Sequence, residues 1–318
     1  MQTISEIMEY AGFTEYPGGM NKISFSDSDI SEWFNSLAIQ DALDYYGLSN
    51  SKDFLDLFNS EFVVIKNDKA LRAAAYILNK FLFRPNNFKK ATLKRSKTDM
   101  LPVFVLLSGC EFHRQNMTAR GFGAEQEESH KKAIYDYCTA GIRKHSLMGM
   151  DIAELRRAVV FSNAHIIQIG NLSYELKKYN YKLDAFEDTA DLVIAIHIEK
   201  GGMLDIAGLE KSFHDGIPAI KKYFPEIGDN IQIYGDSWFL GKELGPYLPE
   251  NGIISKIRDQ FEFIRPASGS GIMKFLFNNM DDEPDFQSLP ENSSLRRKIK
   301  QALINGVKFQ DGIGLLKF

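Results

Sequence analysis

A chain of 318 residues is long enough for two domains of roughly 150 residues each. Its 44% hydrophobic and 25% charged residues are typical of a globular protein with a large apolar core. The formal net charge of −4 excludes a general attraction to nucleic acid or to anionic membranes, so we expect neither partner. The acidic N-terminus and the lack of a run of about 20 apolar residues predict a cytoplasmic protein without an export signal or a membrane span.

Apolar residues at helical spacing dominate the first 150 residues. They recur at three- and four-residue intervals from Ile4 to Ala11, ahead of a capping Gly12, and again in residues 33–43, 54–58 and 71–83. Each of these four regions predicts one helix. The run over residues 100–112 is hydrophobic nearly all round, which predicts a helix in the centre of a helical domain.

The cysteines and histidines of this half give no metal-binding pattern. Cys110 and Cys138 are the only cysteines, and without a second ligand pair they predict buried free thiols rather than a zinc site or a disulfide framework. His130 and His145 fall on the polar side or at the end of a predicted helix, so we expect both at the surface. Neither has a partner at metal-binding spacing, and no metal is expected.

From residue 151 the pattern changes to short β-rich runs that alternate with helices. Two such runs flank Gly170-Asn171, a hairpin signal. The continuous β-branched run Leu192–Ile198 predicts a strand that is buried on both faces. An amphipathic helix follows, in which we expect Pro218 to kink or divide the helix, and a strand at Ile231–Trp238 comes next.

The last 60 residues predict more strands and one helix. We expect strands at residues 260–266 and 273–277, and a helix that is capped by Asn292 or Ser293 and stopped at Asn305-Gly306. Two short final strands are expected to turn at Asp311-Gly312. The strand, helix and strand over residues 191–240 occur in the order that builds parallel sheet with a helix on its face.

The loop after the strand Leu192–Ile198 has the features of an anion site. Lys200, Gly201 and Gly202 precede a helix that begins near Asp205. Backbone N–H groups at a helix N-terminus lack helical partners, and they bind anions. The residues therefore predict a site of about the size of a phosphate, with Asp205 as the helix cap.

Five segments resemble a known family. They are RGFGAEQEESHKKAIYDYC, IIQIGNLSYEL, AIHIEKGGMLD, GDSWFLGKELGPYLPENGIISKIRDQFEF and LPENSSLRRKIKQALINGVKFQDGIGLL. Together they resemble a two-domain group of bacterial N-acyltransferase-like proteins, and the resemblance covers most of the chain. It implies an α+β fold: a helical N-acyltransferase-type domain over residues 1–150, then a GNAT-like mixed β-sheet domain flanked by helices over residues 151–318.

The resemblance also implies a reaction and a co-substrate. The chain would transfer an acyl group from a coenzyme A thioester to an amine of an unidentified small-molecule or peptide acceptor. The pyrophosphate of coenzyme A would lie at Ile198, Lys200, Gly201, Gly202 and Met203, where the pattern departs from the usual GNAT glycine signature. The alternative is a catalytically inactive GNAT-like binding or interaction module, and fold alone does not separate the two.

Four side chains are candidates for the chemistry of acyl transfer. His197, at the end of the central strand, would take a proton from the acceptor ammonium, or it is a hydrogen-bonded core histidine. Asp236 and Ser237 end the following strand, where Asp236 would act as a base or orient His197 and Ser237 would orient substrate; alternatively they cap a turn. Glu175, on the second hairpin strand, is either a base or a solvated strand residue.

Overall fold

The computed structural model describes residues 3–84, 93–96, 100–145, 150, 152–178, 192–198, 206–267, 269, 271–277 and 284–317. The chain divides into two compact units. Unit 1 is Met1–Ile166 and unit 2 is Ile167–Phe318. This division comes later in the chain than the predicted domain limit at residue 150, because helix Ile152–Ser162 packs among the preceding helices.

Unit 1 is helical over most of its described residues. Its helices are α1 (Ile4–Tyr10), α2 (Asp27–Ser36), α3 (Ile39–Tyr45), α4 (Lys52–Asn67), α5 (Lys69–Leu82), α6 (Leu101–Ser108), α7 (Cys110–Ala119), α8 (Ala124–His145) and α9 (Ile152–Ser162). Two short strands, β1 (Phe13–Glu15) and β2 (Lys94–Arg95), pair antiparallel. The predicted helical N-terminal half is confirmed.

Two of the predicted helices are each divided into two. Residues 33–43 do not form a single helix, because Leu37 has the extended backbone conformation (φ −72°, ψ 125°) that ends α2 before α3 begins. The apolar run after residue 100 changes from α6 to α7 at Gly109. A Cβ atom at Gly109 would lie 2.4 Å from the ring of Phe83, so this close packing requires glycine.

Helix α6 lies in the core of unit 1, as its sequence predicts. All residues from Leu101 to Leu107 are buried. The ring of Phe104 contacts those of Trp33, Phe34 and Phe62 at centroid distances of 6.2, 5.7 and 5.7 Å. Because such aromatic side chains each bury a large apolar area, this cluster is a major source of the stability of the unit.

The surface position expected for His130 is wrong. His130 is fully buried, and its ring stacks on that of His113, which is also fully buried. The prediction failed because helical periodicity assigns histidine to a polar face, whereas here the second imidazole and the Ile166 carbonyl satisfy its ring nitrogens. The side chain of His145 lies outside the described residues.

A six-stranded sheet forms the centre of the second half of the chain. Its strands are β3 (Ile166–Ile169), β4 (Leu172–Lys178), β5 (Leu192–Ile198), β6 (Ile233–Ser237), β7 (Phe261–Ala267) and β8 (Asp311–Leu316), in the order β3-β4-β5-β6-β8-β7. The helices are α10 (Ile206–Tyr223), α11 (Ile253–Asp259), α12 (Gly271–Leu276) and α13 (Ser294–Ile304). Strands β5 and β6 are parallel, whereas β4 with β5, β6 with β8, and β7 with β8 are antiparallel.

Several expectations for these elements are confirmed. The hairpin turns at Gly170, whose φ of +59° favours glycine. Strand β5 is predominantly buried. The hydroxyl of Ser293 caps α13 by accepting a hydrogen bond from the Arg296 N–H, at 3.2 Å. The fold class is thus the predicted one, a helical N-terminal part followed by a mixed sheet flanked by helices.

Pro218 lies inside α10, which continues past it to Tyr223, so the helix is not divided there and a kink at Pro218 stays a prediction. Two local expectations in the second half are wrong. Residues 273–277, expected as a strand, fall largely in α12, because the Asp311 carboxylate accepts a hydrogen bond from the Gly271 N–H at 2.7 Å, at the start of that helix. Asp311 and Gly312 begin strand β8 rather than a turn, because this strand pairs with β6 and β7, both distant in sequence.

Alternation along the strands gives the sheet two distinct faces. Helix α10 covers the face that carries Tyr174, whose hydroxyl donates a hydrogen bond of 2.7 Å to the Ser212 carbonyl. A Cβ atom at Gly216 would lie 2.5 Å from the Tyr174 ring, so helix and sheet approach closely there. Neighbouring strand residues point to opposite faces, which places Glu175 on the face away from α10.

Candidate active site

Strands β4 and β5 bring Glu175 and His197 into contact. In the ladder Ser173 is opposite His197 and Glu175 is opposite Ala195, so the two side chains are diagonal neighbours on one face. His197 Nε2 lies 2.6 Å from Glu175 Oε2, and the side chains are 25% and 6% exposed. Two of the four predicted catalytic residues therefore form a hydrogen-bonded pair in the structure.

Lys177, on β4, is a third side chain in contact with this pair. Lys177 Nζ lies 3.2 Å from the same Glu175 oxygen, Oε2. A carboxylate that is almost fully buried requires charged or hydrogen-bonding partners, and His197 and Lys177 both provide them. Period-two alternation places Lys177 on the same face as Glu175, although no motif in the sequence marks it as a site residue.

The contact with Glu175 determines which nitrogen of His197 can react. A carboxylate only accepts hydrogen bonds, so the Nε2–H of His197 donates to Glu175. In the neutral ring the lone pair is then on Nδ1, which is the atom that takes up a proton. A carboxylate that fixes the imidazole tautomer and stabilises the protonated ring is the arrangement of a general base.

His197 lies where two parallel strands stop pairing. Within β5 and β6, both fully described, the ladder consists of Ile194 with Ile233 and Ala195 with Tyr234. Each strand continues beyond this ladder, to Ile198 and Ser237. Ligands commonly bind beyond the carboxyl ends of neighbouring parallel strands, so we expect substrate at the end of β5.

Asp236 shares a face with His197, whereas Ser237 does not. Because Ala195 is opposite Tyr234, two-residue alternation places His197 and Asp236 on the same face and Ser237 on the other. Asp236 is exposed and Ser237 is half-buried. Of the predicted residues, the sheet thus groups Glu175, His197 and Asp236.

Asp311 is a further acidic residue on this face, and the sequence did not indicate it as a site residue. Burial raises the pKa of its carboxyl, the hydrogen bond from the Gly271 N–H opposes that shift, and the negative charge of Asp236 adds to it. No local signal identified it, because Asp-Gly is typical of a turn. Only the pairing of β8 with β6 brings Asp311 and Asp236 close enough to interact.

The predicted coenzyme loop is described only at its first residue. Ile198 is the last residue of β5 and pairs with Leu172 on β4. Residues 200–203, together with the expected helix cap Asp205, lie outside the described residues. The binding of pyrophosphate by this loop stays a prediction.

The described residues contain neither a metal-binding group nor a helix that could span a membrane. None of their His, Cys, Asp and Glu side chains form a group of three or more that could hold a metal ion. Among the helices that are described, none is both long and apolar enough to cross a membrane. Cys110 and Cys138 are buried free thiols, as predicted, and burial raises the pKa of Cys110 to about 11.

Comparison with known proteins identifies the second half of the chain. Residues 166–316 match the family of GNAT-like C-terminal domains. This part of the chain belongs to that family. The match begins at the first residue of β3 and ends at the last residue of β8, so it includes the whole six-stranded sheet of the GNAT-like domain. None of the curated proteins is similar enough to the chain to count as a relative.

Solved structures share the fold of almost the whole chain. A mutant acyltransferase in complex with octanoyl-CoA has a TM-score of 0.72 and 18% identity, covering 99% of this chain and 94% of that chain. An acyltransferase in complex with decanoyl-CoA and teicoplanin has a TM-score of 0.69 and 20% identity, covering 98% and 93%. One with decanoyl-CoA alone has a TM-score of 0.66 and 19% identity, covering 99% and 93%. These similarities show that the helical part and the GNAT-like domain occur together in other proteins.

Proposed function

We propose that this chain transfers an acyl group from a coenzyme A thioester to an amine, with His197 as general base and Glu175 as its partner. The observation that carries the proposal is the 2.6 Å contact between His197 Nε2 and Glu175 Oε2 at the end of β5. The similar solved structures support it, because they are acyltransferases in complex with acyl-CoA.

The reaction requires a base because an amine is mostly protonated at neutral pH. His197 Nδ1 accepts a proton from the acceptor ammonium, and Glu175 stabilises the imidazolium that results. The neutral nitrogen then attacks the thioester carbonyl carbon. A C–N bond forms, the C–S bond breaks, and the sulfur leaves as the thiolate of coenzyme A. The nitrogen then loses one further proton. Of the two protons that the acceptor has lost, one ends on the thiolate and the other goes to solvent, which gives an amide, free coenzyme A and a neutral His197.

Coenzyme A is the co-substrate, and the loop after β5 is its proposed site. Ile198 and residues 200–203 supply backbone N–H groups for the pyrophosphate, with Lys200 as a cation. The acyl thioester then lies beside the end of β5, near His197. Teicoplanin is a ligand of a similar acyltransferase. The acceptor proposed here is an amine of a small molecule or a peptide.

Asp236 has a secondary role in this proposal. Exposed on the His197 face, it attracts a cationic acceptor and assists the base. Ser237 lies on the opposite face of the sheet and is assigned no role. A loss of activity in Asp236→Asn that is confined to KM would support the role of Asp236, since a charge that attracts the acceptor acts on binding.

A GNAT-like binding module without catalysis is the second candidate. The observation that favours it is the sequence Lys200-Gly201-Gly202-Met203, which departs from the usual GNAT pattern of glycines. Such a module would bind acyl-CoA without releasing its thiol. His197 and Glu175 would then form a structural contact.

Two measurements separate the candidates. Thermal melting with coenzyme A, octanoyl-CoA and decanoyl-CoA tests binding, because a ligand at 100 times its Kd stabilises the folded state by about 2.7 kcal/mol. Release of free thiol in the presence of a panel of amines tests the chemistry. Binding with amine-dependent release supports the enzyme, binding alone supports the module, and the absence of both rejects the coenzyme A assignment.

Variants then test the residues. We expect His197→Ala and Glu175→Gln to lower kcat by about 10²–10⁴-fold, the usual contribution of a general base. His214→Ala is the matched control, since the His214 side chain is 86% exposed on α10. Full activity in both His197→Ala and Glu175→Gln would show that the assignment of the base is wrong.

A further inference from the structure

One oxygen of Glu175 contacts two nitrogen atoms. His197 Nε2 lies 2.6 Å from Oε2 and Lys177 Nζ lies 3.2 Å from the same atom. His197 and Lys177 are on different strands, and two-residue alternation directs Lys177 to the same face as Glu175. The Lys177 ammonium and the His197 ring thus contact the same carboxylate oxygen.

The charge balance of this arrangement depends on Lys177. With Lys177 present, Glu175 and Lys177 together are neutral, and His197 can remain neutral beside them. Without Lys177, the nearly buried carboxylate would lose the positive charge that lies 3.2 Å from its Oε2. Its negative charge would then favour the protonated form of His197, 2.6 Å away, so the ring would take up and retain a proton more readily.

We propose that Lys177 is a positioning residue that supplies the counter-charge of Glu175 and thereby keeps His197 in the neutral form that accepts a proton. This inference rests on the proposed function for its catalytic meaning, but the charge state of the ring is a property of the protein alone. Lys177 itself touches Glu175 and is assigned no contact with substrate.

Other groups that face His197 are the same in every variant compared below. Strand β4 contributes the buried Ser173, which is opposite His197, in addition to Glu175 and Lys177. Strand β6 contributes Tyr234 and the exposed Asp236 on the same face. Because their charges do not change between variants, a difference in the titration of His197 reports the removal of Lys177.

Titration of His197 by NMR tests the proposal in the full-length protein without any ligand. The chain has six histidines, and His197→Gln identifies the ring signal of His197 by its disappearance. In Lys177→Met the midpoint of that signal should rise by about one pH unit, a modest value because solvent screens a lysine whose side chain is 37% exposed. At a pH above the midpoints of both proteins, the protonated fraction of His197 should then be about tenfold higher in Lys177→Met than in the parent.

Lys178 provides the matched control. It is exposed and next in sequence, and it points to the opposite face of the same strand. Lys178→Met changes the net charge equally and should leave the midpoint within about 0.2 units, since a charge beyond the sheet is screened by solvent. Lys177→Arg keeps the charge and should also preserve the midpoint. Lys177→Gln replaces Lys177→Met if the latter does not fold.

The outcomes separate this inference from the proposed function. A rise in Lys177→Met or Lys177→Gln but not in Lys178→Met supports the inference, even if no amine is ever acylated. Equal midpoints in all the proteins, or equal shifts in the position 177 and 178 variants, overturn it. If the chain is an acyltransferase, the lower limb of its pH profile for kcat/KM should move by the same amount as the NMR midpoint in Lys177→Met.

Discussion

Acidification should destabilise unit 1 through a buried chain of hydrogen bonds that includes two histidines. The Tyr46 hydroxyl lies 2.9 Å from His113 Nδ1, His113 Nε2 lies 3.3 Å from His130 Nδ1, and His130 Nε2 lies 2.8 Å from the Ile166 carbonyl oxygen. A carbonyl only accepts, so His130 Nε2–H donates to it. His130 Nδ1 then accepts from His113 Nε2–H, and His113 Nδ1 accepts from the Tyr46 hydroxyl.

Because each donor in this chain already faces an acceptor, neither imidazole ring can bind a second proton and keep all of its hydrogen bonds. An added proton on either Nδ1 would meet a donor hydrogen and break a hydrogen bond inside a fully buried cluster. Burial lowers the pKa of His130 to about 4, although hydrogen bonds to the Ile166 and Phe161 carbonyls oppose the shift. Burial also lowers the pKa of His113, and the neighbouring His130 contributes in the same direction.

The direction of the pH effect follows from these pKa values. Between pH 6.5 and about 4 the unfolded chain binds a proton at His130 that the folded chain excludes, so stability falls as the pH falls through this range. The full contribution of His130 to the pH dependence of the free energy of unfolding is on the order of 3 kcal/mol. About 2 kcal/mol of this stability is lost between pH 7.5 and pH 5. Above pH 6.5 neither state binds the proton, and His130 gives no pH dependence.

Urea unfolding at pH 7.5 and pH 5 measures the effect. The chain has two tryptophans, so a Trp238→Phe background leaves Trp33 as a fluorescence reporter of unit 1. In that background His130→Gln keeps a donor for the Ile166 carbonyl but does not titrate. It should be less stable at both pH values and should lose about 2 kcal/mol less between them than the parent does.

His214→Gln is the matched control, because it removes a histidine whose side chain is 86% exposed. It should keep the pH dependence of the parent. If His130→Gln lost as much stability on acidification as the parent, the reasoning about the buried chain would be refuted.

Two further predictions concern the backbone. Ala164, just after helix α9, has a φ of +51°, which favours glycine. Ala164→Gly should therefore raise the free energy of unfolding by about 0.5–1 kcal/mol in urea titrations. The control Ala158→Gly, inside α9, should lower it by about 1 kcal/mol. A Cβ atom at Gly241 would lie 2.0 Å from the Gln310 carbonyl oxygen, so Gly241→Ala should cost about 3 kcal/mol or more. In the control Gly245→Ala the nearest atom is 3.6 Å away, and equal melting temperatures for both variants would contradict the argument.

Much of the secondary structure follows from local signals. The hairpin at Gly170, the buried strand Leu192–Ile198 and the capped helix after Ser293 each have a pattern contained within a few residues, and each is confirmed. Predictions failed where a distant residue decides the outcome. The start of α12 is held by Asp311, and the strand that contains Asp311 forms because β6 and β7 lie on either side of it.

The candidate site shows the same division. The sequence indicated His197 at the end of a buried strand and Glu175 on the preceding strand as separate candidates. Their contact depends on the register that places Glu175 opposite Ala195, two residues before His197, so that the two side chains are diagonal neighbours. Lys177 and Asp311 were missed as members of this face because neither lies in a recognisable motif.

The sequence by itself determined the helical first half, the order of strands and helices that follows, and the resemblance to the GNAT-like domain. These depend on periodicity and capping within short segments, where the interacting residues are close along the chain. The tertiary structure alone decided that His130 is buried against His113, that Asp311 lies near Asp236, and that Lys177 and His197 share one oxygen of Glu175. The physical reason is that burial and strand register are set by contacts between distant segments, and these contacts determine the charge that each side chain carries.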